Sequence, residues 1–178
     1  VARLVEFADL GVPIVGSEPS CVSTLVDEYP QFVRTPDARN VAAGTHTVEN
    51  FLARLLEQEP QAIRFRTESL EVLYHGHCHQ KALSDIRSTF DMLNIPENFT
   101  VSMINSGCCG MAGSFGYEKE HYEVSMKIGE QRLFPAVRKS PEGTIIAANG
   151  NSCRHQIYDG TEREAKHPVS VLREALAP

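Results

Sequence analysis

Asn105-Ser106-Gly107-Cys108-Cys109-Gly110-Met111-Ala112-Gly113-Ser114-Phe115-Gly116 is the stretch around which the chain is organised. Adjacent cysteines do not readily bond each other, and Gly107, Gly110, Gly113 and Gly116 let the backbone take positive φ and approach a bulky group closely. The combination reads as a cradle for a metal or cluster. The competing reading is a buried strand-to-helix turn whose cysteines are small apolar fillers, since free cysteine is among the most buried residue types.

The remaining cysteines tip the balance toward the cradle. Apolar runs of strand length and composition occupy residues 12–15, 70–74, 99–104 and 144–148, and each is followed by cysteine: Cys21, Cys78, Cys108 with Cys109, and Cys153. Segments of helical period separate the runs. The pattern predicts a three-layer α/β fold, a mostly parallel sheet of about four to five strands with helices on both faces and the cysteines at the carboxyl ends of the strands. In such a sheet the loops leaving the carboxyl ends gather on one edge, and ligands bind there where the strand order reverses. The same placement sets each thiol near the start of a helix, whose partial positive charge favours the metal-binding thiolate.

At 178 residues the chain has the size of one domain. A formal charge of -6 and the lack of any basic run exclude a nucleic-acid footprint. No apolar stretch is long enough to span a bilayer and no signal-peptide pattern opens the chain, so a cytoplasmic location is expected, with membrane association only through partners. Five cysteines, an odd number, point away from a disulfide framework and toward a reducing compartment, where clustered thiols serve as ligands or catalysts. The opening Val1-Ala2-Arg3-Leu4 reads as mid-helix, so the chain is expected to be a piece of a longer one.

Taken in order, residues 3–10 read as the end of a helix stopped by Gly11, and Ser17 or Ser20 as the cap of a helix through Leu25 and Val26. Tyr29-Pro30 and Thr35-Pro36 punctuate a polar connection. Residues 45–58 place Val48, Phe51, Leu52, Leu55 and Leu56 on one helical face, with His46 at the surface. In His75-Gly76-His77-Cys78-His79 an extended backbone would put the three histidines on one face and Cys78 on the other. A zinc reading of this stretch lacks a second histidine cluster, so these side chains are expected to hydrogen-bond or shield bound sulfur rather than ligate.

A helix over 78–93 would turn Ala82, Ile86, Phe90 and Leu93 inward. A second, over 118–138, would be interrupted near Gly129 and Pro135 and bury Val124, Ile128, Leu133 and Phe134. Tyr117 and His121 fall near the Cys-Cys loop as packing groups. Asn151 or Ser152 caps a short helix in which Arg154 and His155 either offset the negative charge of a cluster or stand as a solvated basic pair. Residues 165–167 form a last short strand before a helix over 169–176.

Cys78, then Cys108-Cys109-Gly110, then Cys153 resembles the cysteine-rich CCG domain found in heterodisulfide reductase, in glycolate oxidase iron-sulfur subunits and in lactate-utilisation iron-sulfur proteins. Through Glu18-Pro19-Ser20-Cys21, His77-Cys78-His79-Gln80-Lys81-Ala82, residues 107–117 and Ser152-Cys153-Arg154-His155-Gln156, the chain is most similar to the C-terminal part of large FAD-linked oxidases with fused iron-sulfur domains. That family's repeat is a cysteine, a Cys-Cys-Gly and a Cys-x-x-Cys, present twice in a complete domain. The resemblance implies that residues 1–60 end a first repeat, with Cys21 as its last cysteine, and that residues 61–178 are the second. This chain departs from the repeat at Gly150, which replaces the first cysteine of the Cys-x-x-Cys.

By the same resemblance Cys78, Cys108, Cys109 and Cys153 bind the cofactor, Cys21 is a further metal ligand, and His77, His79, His155 and Gly110 surround them. Four thiolates suffice for a cubane [4Fe-4S] cluster or for tetrahedral zinc. The noncubane cluster implied by the heterodisulfide reductase relatives uses five cysteines. The cluster type therefore stays open, with zinc or an empty site as alternatives.

The function implied is an iron-sulfur electron-transfer module of an FAD-linked oxidoreductase acting on a 2-hydroxy acid such as glycolate, D-lactate or D-2-hydroxyglutarate. It would carry no catalytic residue of its own and would take electrons from flavin and ferredoxin-like domains or subunits to a quinone, thiol or other acceptor. FAD belongs to the parent protein, because no dinucleotide-type glycine fingerprint follows a strand here. Two other readings compete: a structural zinc or thiol docking domain without redox turnover, and thiol catalysis by Cys108 or Cys109 with Cys78 or Cys153 as resolving partner.

Overall fold

The structure, a computed structural model, describes residues 1–60 and 62–178. Residues 1–60 form α1 (Val5–Asp9), β1 (Ile14–Gly16), α2 (Pro19–Ser23), one π-helical turn (Thr24–Glu28), α3 (Tyr29–Val33), α4 (Pro36–Ala43), β2 (Thr45–Thr47) and α5 (Val48–Gln58). The rest form β3 (Leu70–His75), α6 (Cys78–Leu83), α7 (Arg87–Leu93), β4 (Phe99–Met103), a 3-10 turn (Phe115–Tyr117), α8 (Tyr122–Lys139), β5 (Ile145–Ala148), α9 (Asn151–Thr161), β6 (Ala165–Lys166) and α10 (Pro168–Glu174).

The four later strands make one wholly parallel sheet in the order β4-β3-β5-β6. Side chains alternate across its pleat. Leu73, Ile146 and Ala148 face Leu133, Phe134 and Val137 of α8 and Ile157 of α9. Val72, Tyr74 and Ala147 face Met92 and Leu93 of α7 and Val171 and Leu172 of α10. Full burial of each large apolar side chain contributes about 1.5–3 kcal/mol, so the two faces together supply most of the hydrophobic stabilisation. The chain steps from β3 to β4 through α6 and α7 on one face, then back past β3 to β5 through α8 on the other. With a constant crossover hand, a reversal of direction puts the connecting helices on opposite faces, and the reversal opens a crevice at the carboxyl ends of β3 and β5.

The three-layer, parallel α/β expectation holds, with one difference in detail. The first strand does not join the main sheet. β1 pairs in parallel with β2, Ile14 opposite Thr45 through Gly16 opposite Thr47, in a separate two-stranded sheet. Residues 45–47, expected as the start of a helix, are this partner strand; Thr47 then caps α5, its Oγ1 accepting from Asn50 N. His46 lies in β2, half-buried rather than at the surface.

The expected polar connection around residues 29–36 is helical. Pro30 and Pro36 occupy first-turn positions, where a helix makes no use of the missing N–H. The helix over 78–93 breaks in two because Asp85 restarts it, its Oδ1 accepting from Arg87 N and its carbonyl from Ser88 Oγ; Ala82 is left exposed. α8 runs unbroken through Gly129 and Pro135, and the Phe134 ring fills the space that a Cβ would need at both Gly129 and Gly160. Val124, expected in the core, is 48% exposed in the first turn of α8. The caps of α2 and α9 are Glu18 and Gly150, not Ser17, Ser20, Asn151 or Ser152. The expected division between repeats begins at Gln61, which lies outside the described residues.

Candidate metal centre

The four cysteines of the second half are delivered by three turns at the carboxyl edge of the sheet. β3 runs out at His75, Gly76 gives way to the Ile86 side chain, and His77 caps α6 by accepting His79 N at its Nδ1, 3.2 Å away; Cys78 is the first residue of that helix. β5 ends at Ala148, Gly150 is the N-cap of α9, and Cys153 lies in its first turn. Arg154 braces this turn by donating to the carbonyls of Ala148 and Asn149 at 3.0 and 2.6 Å.

The Cys108-Cys109 loop follows β4 and is anchored from below. Lys81 Nζ donates to the carbonyls of Ser106 and Gly107 at 2.6 and 3.1 Å. Gln156 Nε2 of α9 reaches the Cys109 carbonyl at 3.2 Å, and the Ser125 carbonyl and hydroxyl at 3.1 and 2.9 Å. Gly110 has φ +108°, and a Cβ there would run into the Ser125 carbonyl and lie 2.9 Å from Gln156 Nε2. Only glycine lets the loop lie this close to α8 and α9. Its N–H points at Cys108 Sγ, 3.3 Å away.

The loops bring Cys78, Cys108, Cys109 and Cys153 into one row of thiol contacts. Cys109 hydrogen-bonds to both Cys108 and Cys153, and Cys78 to Cys108. These donations divide the row. Cys108 is held far below the usual thiol range by the Cys109 and Cys78 bonds, with the Gly110 amide assisting against burial. The Cys109 bond brings Cys153 to about 5, against the opposing effect of burial and with help from His75. Donation to Cys108 pushes Cys78 and Cys109 up instead. A helix start alone therefore does not lower every thiol, contrary to expectation: Cys78 opens α6 yet is raised, while Cys108 and Cys109 sit in a loop.

Cys109 and Cys153 are 3% and 2% exposed, whereas Cys78 and Cys108 are half-buried at the outer side. Of the other expected residues, His77 is buried, and burial lowers its pKa so that the ring is neutral. His79 is exposed, its ring 5.2 Å from that of His77, so the three histidines do not share one face. His155 is exposed and accepts from or donates to Tyr117 Oη across 2.7 Å. Cys21 is exposed on α2 and takes no part in the row of thiol contacts.

His75, expected only as one of three histidines that would hydrogen-bond or shield bound sulfur, is the one the structure seats beside the inner thiols. It is 1% exposed, and one of its ring nitrogens and the Cys109 and Cys153 sulfurs all lie within 4.8 Å of one another. Its signal in the sequence was strand parity: His75 is two residues beyond Leu73, which packs toward α8 and α9. Sulfur and imidazole donors from three loops, buried on one side and half-open on the other, suit a soft metal or an iron-sulfur cluster.

The chain is similar to parts of two kinds of dehydrogenase. It is 30% identical over 168 residues to one of the subunits of the anaerobic glycerol-3-phosphate dehydrogenase of Escherichia coli (strain K12), a match covering 94% of this chain and 41% of that protein. It is 32% identical over 178 residues to D-2-hydroxyglutarate dehydrogenase of the same organism, covering 95% of this chain and 16% of that protein, and 30% identical over 171 residues to the Pantoea ananatis enzyme of that name. The chain thus spans about two fifths of the first relative and about one sixth of the second. No family model and no solved structure matches.

Proposed function

We propose that this chain is an iron-sulfur electron-transfer module of a flavin-linked dehydrogenase, with Cys78, Cys108, Cys109 and Cys153 as the thiolate ligands. The observation that carries the reading is the row of four contacting thiols assembled from three separate turns at the carboxyl edge of one parallel sheet. When bound, such a cluster stores and passes single electrons at a potential set by its charge, its hydrogen bonds and its exposure. The chain's own residues govern those settings. The Gly110 N–H donates to Cys108 sulfur, the Lys81 ammonium sits among the thiols with its pKa lowered by burial, and buried Cys109 and Cys153 close the inner side. The half-open side at Cys78 and Cys108 is where a donor or acceptor would approach.

On this reading residues 1–60 end one CCG repeat and residues 61–178 form a second. The parent protein carries FAD and ferredoxin-like domains or subunits. The similarity to dehydrogenases of glycerol 3-phosphate and D-2-hydroxyglutarate supports a hydroxy compound, oxidised by the parent protein, as the ultimate electron donor. The acceptor on this reading is a quinone, a thiol or another electron acceptor. No helix among the described residues is long and apolar enough to cross a membrane, so any membrane association would come through those partners.

The test is iron, zinc and acid-labile sulfide content of anaerobically prepared protein, with the Cys109→Ser variant beside it. About four irons and four sulfides per chain, lost together in the variant, is the expected result for a cubane. Full iron retention in Cys109→Ser would remove Cys109 from the ligand set. A second reading, one structural zinc ion, is favoured by the tight His75-Cys109-Cys153 group, because donors about 2.1–2.3 Å from one ion lie roughly 4 Å apart. It predicts one zinc and no sulfide.

A further inference from the structure

We propose that His75 is itself a ligand, giving the centre a nitrogen donor through Nε2 beside Cys109 and Cys153. The inference rests on the reading of the thiol row as a metal or cluster site and names a residue that this reading does not require.

Three observations converge on the ring. His75 Nδ1 lies 2.8 Å from Ser106 Oγ, while Nε2, buried in a residue 1% exposed, has no nitrogen or oxygen partner among the described residues, and the Cys153 thiol is the polar group beside the ring. A buried imidazole nitrogen left unpaired costs about 1–3 kcal/mol, and a fold retains such an atom where something else is to meet it. One of its ring nitrogens falls within 4.8 Å of both the Cys109 and Cys153 sulfurs, and with Nδ1 on Ser106 the unpaired Nε2 is the nitrogen left to meet them. With Nδ1–H donated to Ser106 Oγ, the tautomer is fixed and the Nε2 lone pair is free, the arrangement in which a metal-bound histidine is oriented by a hydrogen bond from its other nitrogen. Ser106 is then a positioning residue, and its carbonyl is in turn held by Lys81.

The neighbouring histidine does not compete for this role. His77 Nδ1 is engaged by the His79 amide, and its ring occupies the space above Gly150, where a Cβ would lie 3.0 Å from His77 Nε2 and 3.1 Å from Cys153 sulfur. Glycine at 150 and the ring of His77 fill that space together, which leaves no thiol on that side of Cys153. His75 is the donor that remains. A neutral imidazole brings no negative charge to the centre where a thiolate at the same position would bring one, so the reduction potential is higher with His75 than with a cysteine there.

The experiment is pulsed electron paramagnetic resonance for directly bound ¹⁴N on the reduced, anaerobically prepared protein. Iron and sulfide are counted on the same sample, and X-ray absorption is recorded on protein loaded with zinc alone. The expected result is one strongly coupled nitrogen, lost in His75→Cys and His75→Gln and retained in His77→Leu, with a lower midpoint potential in His75→Cys at unchanged iron content. One nitrogen per zinc in the zinc-loaded protein, absent in His75→Cys, is the parallel expectation. Iron and sulfide bound with no nitrogen coupling in the unsubstituted protein would overturn the assignment while leaving the cluster reading intact. No iron or sulfide but one nitrogen on zinc would uphold His75 and overturn the cluster. An all-sulfur zinc shell, or coupling lost only in His77→Leu, would overturn His75 as ligand.

Discussion

Gly110 and Glu49 show how single side chains set the conditions for the centre. At Gly110 the backbone is in the glycine-favoured region, φ +108°, with the Ser125 carbonyl where a Cβ would go. Gly110→Ala therefore combines strain with overpacking and is expected to cost about 3 kcal/mol or more, read as a fall in melting temperature. Glu49, fully buried at the start of α5, accepts from Asn149 Nδ2 through Oε1, and its Oε2 has no partner among the described residues. Burial raises its pKa above 4.5, although His167 Nε2, 3.4 Å away, works against the shift. Above 4.5 the unfolded chain gives up a proton that the folded chain keeps, so Glu49 takes stability away as pH rises through that window. Glu49→Gln escapes this loss, and its melting temperature relative to the native protein is expected to climb between about pH 4 and pH 7. A difference independent of pH would mean that Glu49 is ionised in the fold. At this scale the four clustered cysteines were legible because each follows an apolar run. Glu49 was not, since a lone Glu in a helical pattern reads as solvated, and His75 was grouped with His77 and His79 because nothing local singles it out.

The elements that hold the centre are α8 and α9, and one amide joins them. Gln156 Nε2 serves the Cys109 carbonyl, the Ser125 carbonyl and the Ser125 hydroxyl at once, all buried. Gln156→Leu keeps the side-chain volume and leaves the buried Cys109 carbonyl without its donor, a cost of about 1–3 kcal/mol. It is expected to lower the melting temperature and to speed alkylation of Cys109 by a neutral thiol reagent. Unchanged labelling would mean that Gly110 packing alone secures the loop. The sequence made the strands β3, β4 and β5 legible because their apolar runs are short and bounded. It misplaced the break after Leu83 and the supposed breaks in α8 for a common reason: Asp85 capping and the seat of Phe134 between Gly129 and Gly160 are tertiary facts with no local period. β2 was hidden because Thr45–Thr47 gains strand character only by pairing with β1, and its Thr47 also caps the helix that dominated the reading.

Across the whole molecule the two sheets are tied together beneath the centre. Glu49 reaches Asn149, whose Oδ1 accepts from Tyr74 Oη at 2.6 Å, so a residue of α5 secures the turn between β5 and Cys153. Glu18 Oε2 accepts Asn151 N at 2.9 Å at the start of α9, and the Ser17 carbonyl lies 3.0 Å from His167 Nε2. Leu52 and Ala53 of α5 pack on the core formed by Met92, Leu93 and Val171. The repeat boundary proposed near residue 60 would therefore not coincide with a seam in the packing. Removing residues 1–60 would uncover Asn149 and Tyr74, which are completely buried, and strip an apolar face from α7 and α10. The intact chain is expected to unfold in one transition by near-ultraviolet circular dichroism, with thiol exposure following the same curve. The 61–178 piece is expected to lose the fixed near-ultraviolet signal while keeping helical signal. Two separate transitions in the intact chain, or a native spectrum from the piece, would show instead that the centre is built by the four-stranded sheet alone.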